Sequence, residues 1–132
     1  MSVFPFVVRT TVRHSGTAHM DGRKVEVGMH VQVVTYRMAD VSEPEFIEAN
    51  KEFAEMMAVV PGLLGKVWLK GADDNIYGGL YLWRDQEVCQ SFLAGELWAE
   101  VVKDDSVLDL ASDDFAVMEE LTKTTQPEIQ LV

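Results

Sequence analysis

From His30 onward the order of apolar and polar residues divides the chain into short, well-marked pieces. The run His-Val-Gln-Val-Val-Thr-Tyr-Arg-Met alternates its side chains and is rich in Val and Tyr, which predicts a first strand. Ser42-Glu43-Pro44-Glu45 then reads as a capping box, with Ser42 as N-cap, Glu45 three residues on and Pro44 tolerated in the first turn. Phe46, Ala49, Phe53, Met56, Met57 and Val60 follow at helical spacing, with Glu48, Lys51, Glu52 and Glu55 on the other side. Pro61 disfavours helical geometry in the residue before it, so this helix should stop at Val60. Leu63 to Lys70 and Ile76 to Arg84 read as two strands joined by Gly-Ala-Asp-Asp-Asn, whose Gly, Asp and Asn suit a turn, hence a hairpin. Asp85 can cap a second helix with the apolar stripe Val88, Cys89, Phe92 and Leu93. Gly95 should break it before a further helical piece from Leu97 to Val102. The last strand is expected at Asp113 to Leu121, where Phe115, Val117, Glu119 and Leu121 alternate with Ala116, Met118 and Glu120.

Strand, helix, hairpin, helix, strand is the order of a ferredoxin-like βαββαβ unit, an α+β fold with one antiparallel sheet and its helices on one face. The other face would present Val, Leu, Tyr and Trp as a large apolar patch, and a chain this short has no further element to cover it. A homodimer formed by sheet-to-sheet packing is the expected solution. The polar tail after Thr122 ends in Ile-Gln-Leu-Val, which is either loose or docks on a partner subunit.

The 132 residues and 48 % hydrophobic content suit one ordinary domain. The longest uncharged apolar stretch, Met56 to Gly65, contains Pro61 and falls well short of the roughly 20 residues a membrane-spanning helix needs. A single cysteine allows no internal disulfide, and no leader pattern opens the chain, so a cytoplasmic protein is expected. The net charge of −11 opposes binding to nucleic acid through a broad electrostatic face. That acidity resides in residues 29–132, because residues 1–28 carry Arg9, Arg13, Arg23 and Lys24 against only Asp21 and Glu26. The chain therefore divides into an N-terminal extension, 1–28, and a folded domain, 29–132. Three readings of the extension stay open: a hairpin turning near His14 to Asp21, an unstructured arm, or a stretch upstream of the true start at Met29.

Alternate positions share a sheet face, so His30, Gln32, Val34 and Tyr36 line one side of the first strand. Lys66, Trp68 and Lys70 share a side of the second, and Gly79, Tyr81 and Trp83 a side of the third. If register brings these sets together, Tyr36, Trp68, Tyr81 and Trp83 wall a small-molecule pocket, with Phe53 contributed by the first helix. The alternative is that these aromatics are core or dimer contacts. Lys66 is either a solvent-facing charge or a cation in a dry pocket, where it would stabilise a phenolate or enolate. Asn50 either faces solvent or points its amide into the space between helix and sheet. His30 is a candidate base near neutral pH or a structural residue at a strand start, and Tyr36 is a second candidate base. No metal is expected, because His14 and His19 lie in the extension and no His, Cys and carboxylate cluster has ligand spacing. Cys89 reads as a small core hydrophobe. The pairs Asp73-Asp74, Asp104-Asp105 and Asp113-Asp114 read as solvated residues at turns or element ends.

Pro61-Gly-Leu-Leu-Gly-Lys-Val-Trp68, followed by Tyr77-Gly-Gly-Leu-Tyr-Leu-Trp83 and Asp85, resembles the signature of the YdhR-like monooxygenases. There a PG-x-x-x-K-x-W stretch leads into a hairpin whose return strand reads GG-x-Y-x-aromatic, then an Asp-capped helix. The resemblance extends more loosely over residues 29–127, and residues 1–28 have no counterpart in it. It implies a dimeric α/β barrel similar to the antibiotic biosynthesis monooxygenases, in which two ferredoxin-like sheets face each other. Functionally it implies an oxygenase that uses no cofactor and acts on a small aromatic, phenol or quinol-like compound. Two other outcomes stand beside it: a dimer that binds such a molecule without turning it over, and haem binding as in related barrels.

Overall fold

The computed structural model describes residues 28–73 and 75–125. The expectations for residues 1–27 and for the Ile-Gln-Leu-Val tail lie outside the described residues. Along the chain run β1 (His30–Met38), α1 (Glu43–Ala58), β2 (Leu63–Lys70), β3 (Ile76–Trp83), α2 (Gln86–Leu93), α3 (Glu96–Lys103), β4 (Val107–Ala116) and α4 (Glu119–Thr125). The four strands form one antiparallel sheet in the order β2-β3-β1-β4. This is the ferredoxin-like α+β arrangement, with α1, α2 and α3 packed over one face.

Local chemistry sets the helix ends. The Glu45 amide donates to the Ser42 hydroxyl at 3.3 Å, and the Ser42 amide donates back to the Glu45 carboxylate at 2.9 Å. Two otherwise unpaired donors of the first turn are thus satisfied, the reciprocal bonding of a capping box. At α2 the Asp85 carboxylate accepts from the Val88 amide at 3.0 Å.

Pairing fixes which side chains meet. On the face beneath the helices His30 lies opposite Trp83, Gln32 opposite Tyr81, Val34 opposite Gly79 and Tyr36 opposite Tyr77. From β2, Lys66 lies opposite Tyr81 and Trp68 opposite Gly79. Gly78 is needed for this approach, since a Cβ there would sit 2.1 Å from the Val34 carbonyl oxygen. The core gathers at one end of the layer, where Val34, Met57, Tyr81, Trp83, Cys89 and Phe92 are buried together. Phe92 packs 5.0 Å from Trp83 and 5.7 Å from Tyr81, centroid to centroid. Met56, on the predicted stripe of α1, is instead 45 % exposed at its edge.

The last strand departs from expectation. It covers Val107–Ala116, and the residues from Glu119 onward form α4. Asp109 takes a left-handed φ of 55°, and the β1 pairing shifts by one residue between Thr35 and Arg37. Such a bulge interrupts the period of two, which hides the strand's first half from a pattern search. The Glu119 carboxylate, expected on a strand, accepts from the Met29 amide at 3.0 Å. Asp114, expected in solvent, points beneath the helices with its side chain only 9 % exposed.

The opposite sheet face carries Val31, Val33, Leu80 and Leu82 at its centre, and Val67 and Phe115 on its outer strands are each 57 % exposed. Among the described residues no helix is long and apolar enough to cross a membrane.

Candidate active site

Between α1 and the sheet lies a cavity of about 330 Å³. Its walls include Tyr36, Asn50, Phe53, Lys66, Trp68 and Tyr81, so β1, α1, β2 and β3 bring together six of the eight residues singled out in the sequence. Phe46 closes one side, stacked on Tyr77 at a centroid distance of 4.1 Å. The space exists because Gly79 sits opposite both Val34 and Trp68. A Cβ there would lie 2.8 Å from the Lys66 Cε.

Lys66 is the chemical centre of this cavity. Its Nζ lies 3.6 Å from the Trp68 ring centroid, 4.5 Å from that of Tyr81 and 5.2 Å from that of Phe53. Among the described residues no carboxylate pairs with it. Ring faces attract a cation but replace less of its hydration than a carboxylate would. Burial accordingly pulls the Lys66 pKa down to about 8. The amine is therefore available both as a proton acceptor and, once protonated, as a cation beside a developing oxyanion.

The phenols behave in the opposite sense. Burial, with the Asp104 carboxylate as a second cause, pushes Tyr36 up to about 12. Tyr81 is also raised, by burial first and by Tyr36 second. Both stay protonated near neutral pH, and in that form the Tyr36 hydroxyl can donate a hydrogen bond. The Asn50 amide donates to the Phe46 carbonyl at 2.9 Å, which fixes the side chain at the cavity wall. Glu100 and Asp104 complete the lining, two acidic residues that pattern reading did not select because they belong to α3 and the loop after it. A second hollow of about 350 Å³ shares Phe46, Asn50 and Trp68 with the first.

Trp83 and His30 share the inner face but do not line the cavity. Trp83 is fully buried and donates its indole N–H to the Gln32 side-chain oxygen at 3.0 Å, while the Gln32 amide donates to the Ser112 hydroxyl at 3.1 Å. His30 is 4 % exposed, and its Nε2 lies 2.5 Å from an Asp114 carboxylate oxygen. Cys89 reaches the same spot from α2, and burial with Asp114 nearby raises its thiol pKa. Sequence spacing gave no reason to group His30, Cys89 and Asp114, because each comes from a different element.

A family model described as "Putative mono-oxygenase ydhR" matches residues 31–128. No curated protein sequence matches. Among solved structures, SnoaB, a cofactor-independent oxygenase from Streptomyces nogalater, is 19 % identical with a TM-score of 0.58, over 77 % of this chain and 100 % of that one. The heme-degrader MhuD from Mycobacterium tuberculosis is 18 % identical with a TM-score of 0.54, over 67 % of this chain and 95 % of that one. A hydroxynitrile lyase from Passiflora edulis is 10 % identical with a TM-score of 0.55, over 70 % and 95 %. Three chemistries on one fold leave the side chains of the cavity to decide between them.

Proposed function

This chain belongs to the ydhR mono-oxygenase family, and from that premise we propose that its Lys66 cavity oxidises a small electron-rich aromatic, a phenol or quinol, with dioxygen and no bound cofactor. The observation that carries this reading is the Lys66 amine, held among Phe53, Trp68 and Tyr81 with its pKa lowered to about 8. A pocket walled by rings accepts a flat, apolar molecule, and Glu100 and Asp104 at its lining disfavour an anionic one. A neutral phenol meets both conditions.

The steps follow from that arrangement. Neutral Lys66 takes the phenol proton, and the resulting ammonium stays beside the phenolate, where the desolvated site strengthens their attraction. The phenolate is electron-rich enough to pass an electron to dioxygen, and the two radicals join at the ring carbon para to the oxygen. Lys66 returns the phenol proton to the outer peroxide oxygen, so that carbon carries both hydrogen and a hydroperoxide. The neutral amine then takes the proton from the carbon as the O–O bond breaks, and passes it to the departing hydroxide, which leaves as water. The ring has lost two hydrogens and gained one oxygen, giving a quinone. Trp68 and Tyr81 hold the ring in place, and the Tyr36 hydroxyl and Asn50 amide orient its polar edge. We assign the exposed apolar sheet face to a second copy of the chain, giving a homodimer.

Isotopic labelling tests the reaction. With ¹⁸O₂ and a phenol whose binding quenches Trp68 fluorescence, the expected product carries one labelled oxygen and the second label appears in water. A ligand recovered unchanged after saturating binding would overturn the proposal in favour of a non-catalytic binding dimer.

A further inference from the structure

We propose that His30, Cys89 and Asp114 form a binding site for a divalent metal ion of the zinc class, which ties α2 to the sheet. The three residues come from β1, α2 and β4, and their ligand atoms all lie within 4.8 Å of one another. Each is removed from solvent: His30 is 4 % exposed, Cys89 fully buried, and the Asp114 side chain 9 % exposed. Imidazole nitrogen, thiolate sulfur and carboxylate oxygen together suit zinc, whereas calcium or magnesium would call for oxygen ligands alone.

The surroundings favour a cation there. A buried carboxylate is costly unless paired, and among the described residues no lysine or arginine reaches Asp114; its partner is the His30 ring. A dication held between the Asp114 carboxylate and the Cys89 sulfur pairs with both at once, displacing the thiol proton to solvent. Ligand atoms on one zinc ion sit about 3.5 Å apart. The His30–Asp114 contact of 2.5 Å must therefore open by about an ångström, a side-chain adjustment. The fourth tetrahedral position is left for water. None of the three residues lines the Lys66 cavity, so this site stands independently of the oxygenase reading and adds nothing to its chemistry.

The chain has one cysteine, which makes a sulfur signal unambiguous. Full-length protein freed of metal by chelation and dialysis is titrated with Co²⁺. The expected result is a near-ultraviolet sulfur-to-cobalt charge-transfer band that saturates at one equivalent per chain and is bleached by Zn²⁺. Cys89→Ser should abolish the band, and Asp114→Asn should weaken uptake by at least about tenfold, the scale on which even indirect partners of metal ligands act. Wild-type protein that gives no sulfur band overturns the site without recourse to any variant. So does Asp114→Asn protein that binds Co²⁺ as tightly as wild type. Uptake by His14 or His19 would lack the sulfur band and would likewise count against it.

Discussion

Lys66 Nζ lies 3.6 Å from the centroid of the Trp68 ring, two residues along the same face of β2. Adjacent inward positions on one strand thus hold a cation and the ring that contacts it, without a carboxylate between them among the described residues. Substitution of this lysine separates its roles. Lys66→Met should lower oxygen uptake with a phenolic substrate by about 10²- to 10³-fold, the scale for losing one charge-stabilising group in a water-poor site. Lys66→Arg keeps a cation but cannot take up the phenol proton, so its activity should stay close to that of Lys66→Met. Wild-type rates in the arginine variant would show that charge alone suffices.

The lowered pKa sets the pH profile. Neutral amine grows as pH rises through about 8, so kcat/KM should climb with pH and level off above that value. The stability effect has the same direction. Lys66 binds its proton more weakly in the folded protein, at about 8, than in the unfolded chain, near 10.5. Its destabilising contribution is full below pH 8 and fades as pH rises to 10.5, where the unfolded chain also loses the proton. Lys66→Met should therefore be more stable than wild type at pH 7 by on the order of 1–3 kcal/mol, partial exposure included. Paired denaturant titrations at pH 7 and pH 10 should show this gap narrowing at the higher pH.

The two glycines of β3 should respond differently to one added methyl group. At Gly78 the new Cβ meets the Val34 backbone oxygen at 2.1 Å, so Gly78→Ala should fail to fold or lose most of its cooperative thermal transition. At Gly79 the nearest atom is Lys66 Cε, near the end of a flexible side chain that can move. Gly79→Ala should keep a cooperative transition while displacing the amine, with activity reduced by about tenfold or more, since small misplacements of reacting groups are costly. Thermal denaturation beside an activity assay distinguishes the two.

Most of this was legible in the sequence where the period was regular. The β2 and β3 alternation placed Lys66, Trp68 and Tyr81 on one face, and the register placed them around one cavity. Alternation identifies a face but not a position along it, which is why His30 and Trp83, on that same face, lie beneath the far end of the helical layer instead. The left-handed Asp109 broke the period in β4 and moved the expected strand toward the C-terminus. With it went the placement of Asp114, a carboxylate whose burial depends on a histidine 84 residues away.

The uncovered sheet face makes oligomeric state a separate test. Phe115 and Val67 lie on it and are each 57 % exposed. Val67→Glu or Phe115→Glu would place an unpaired charge in a sheet-to-sheet interface, so light scattering should show wild type as a dimer and either variant shifted toward monomer. A wild-type monomer at micromolar concentration would remove the proposed dimer.

The most direct measurement of the central claim is oxygen consumption by purified protein, free of flavin, haem and added metal, over a panel of electron-rich phenols and quinols. The expected result is uptake of one dioxygen per quinone formed in wild type, with uptake lost in Lys66→Met protein that still binds the same ligand. Uptake that is equal in wild type and Lys66→Met, or absent across ligands that demonstrably occupy the cavity, would contradict it.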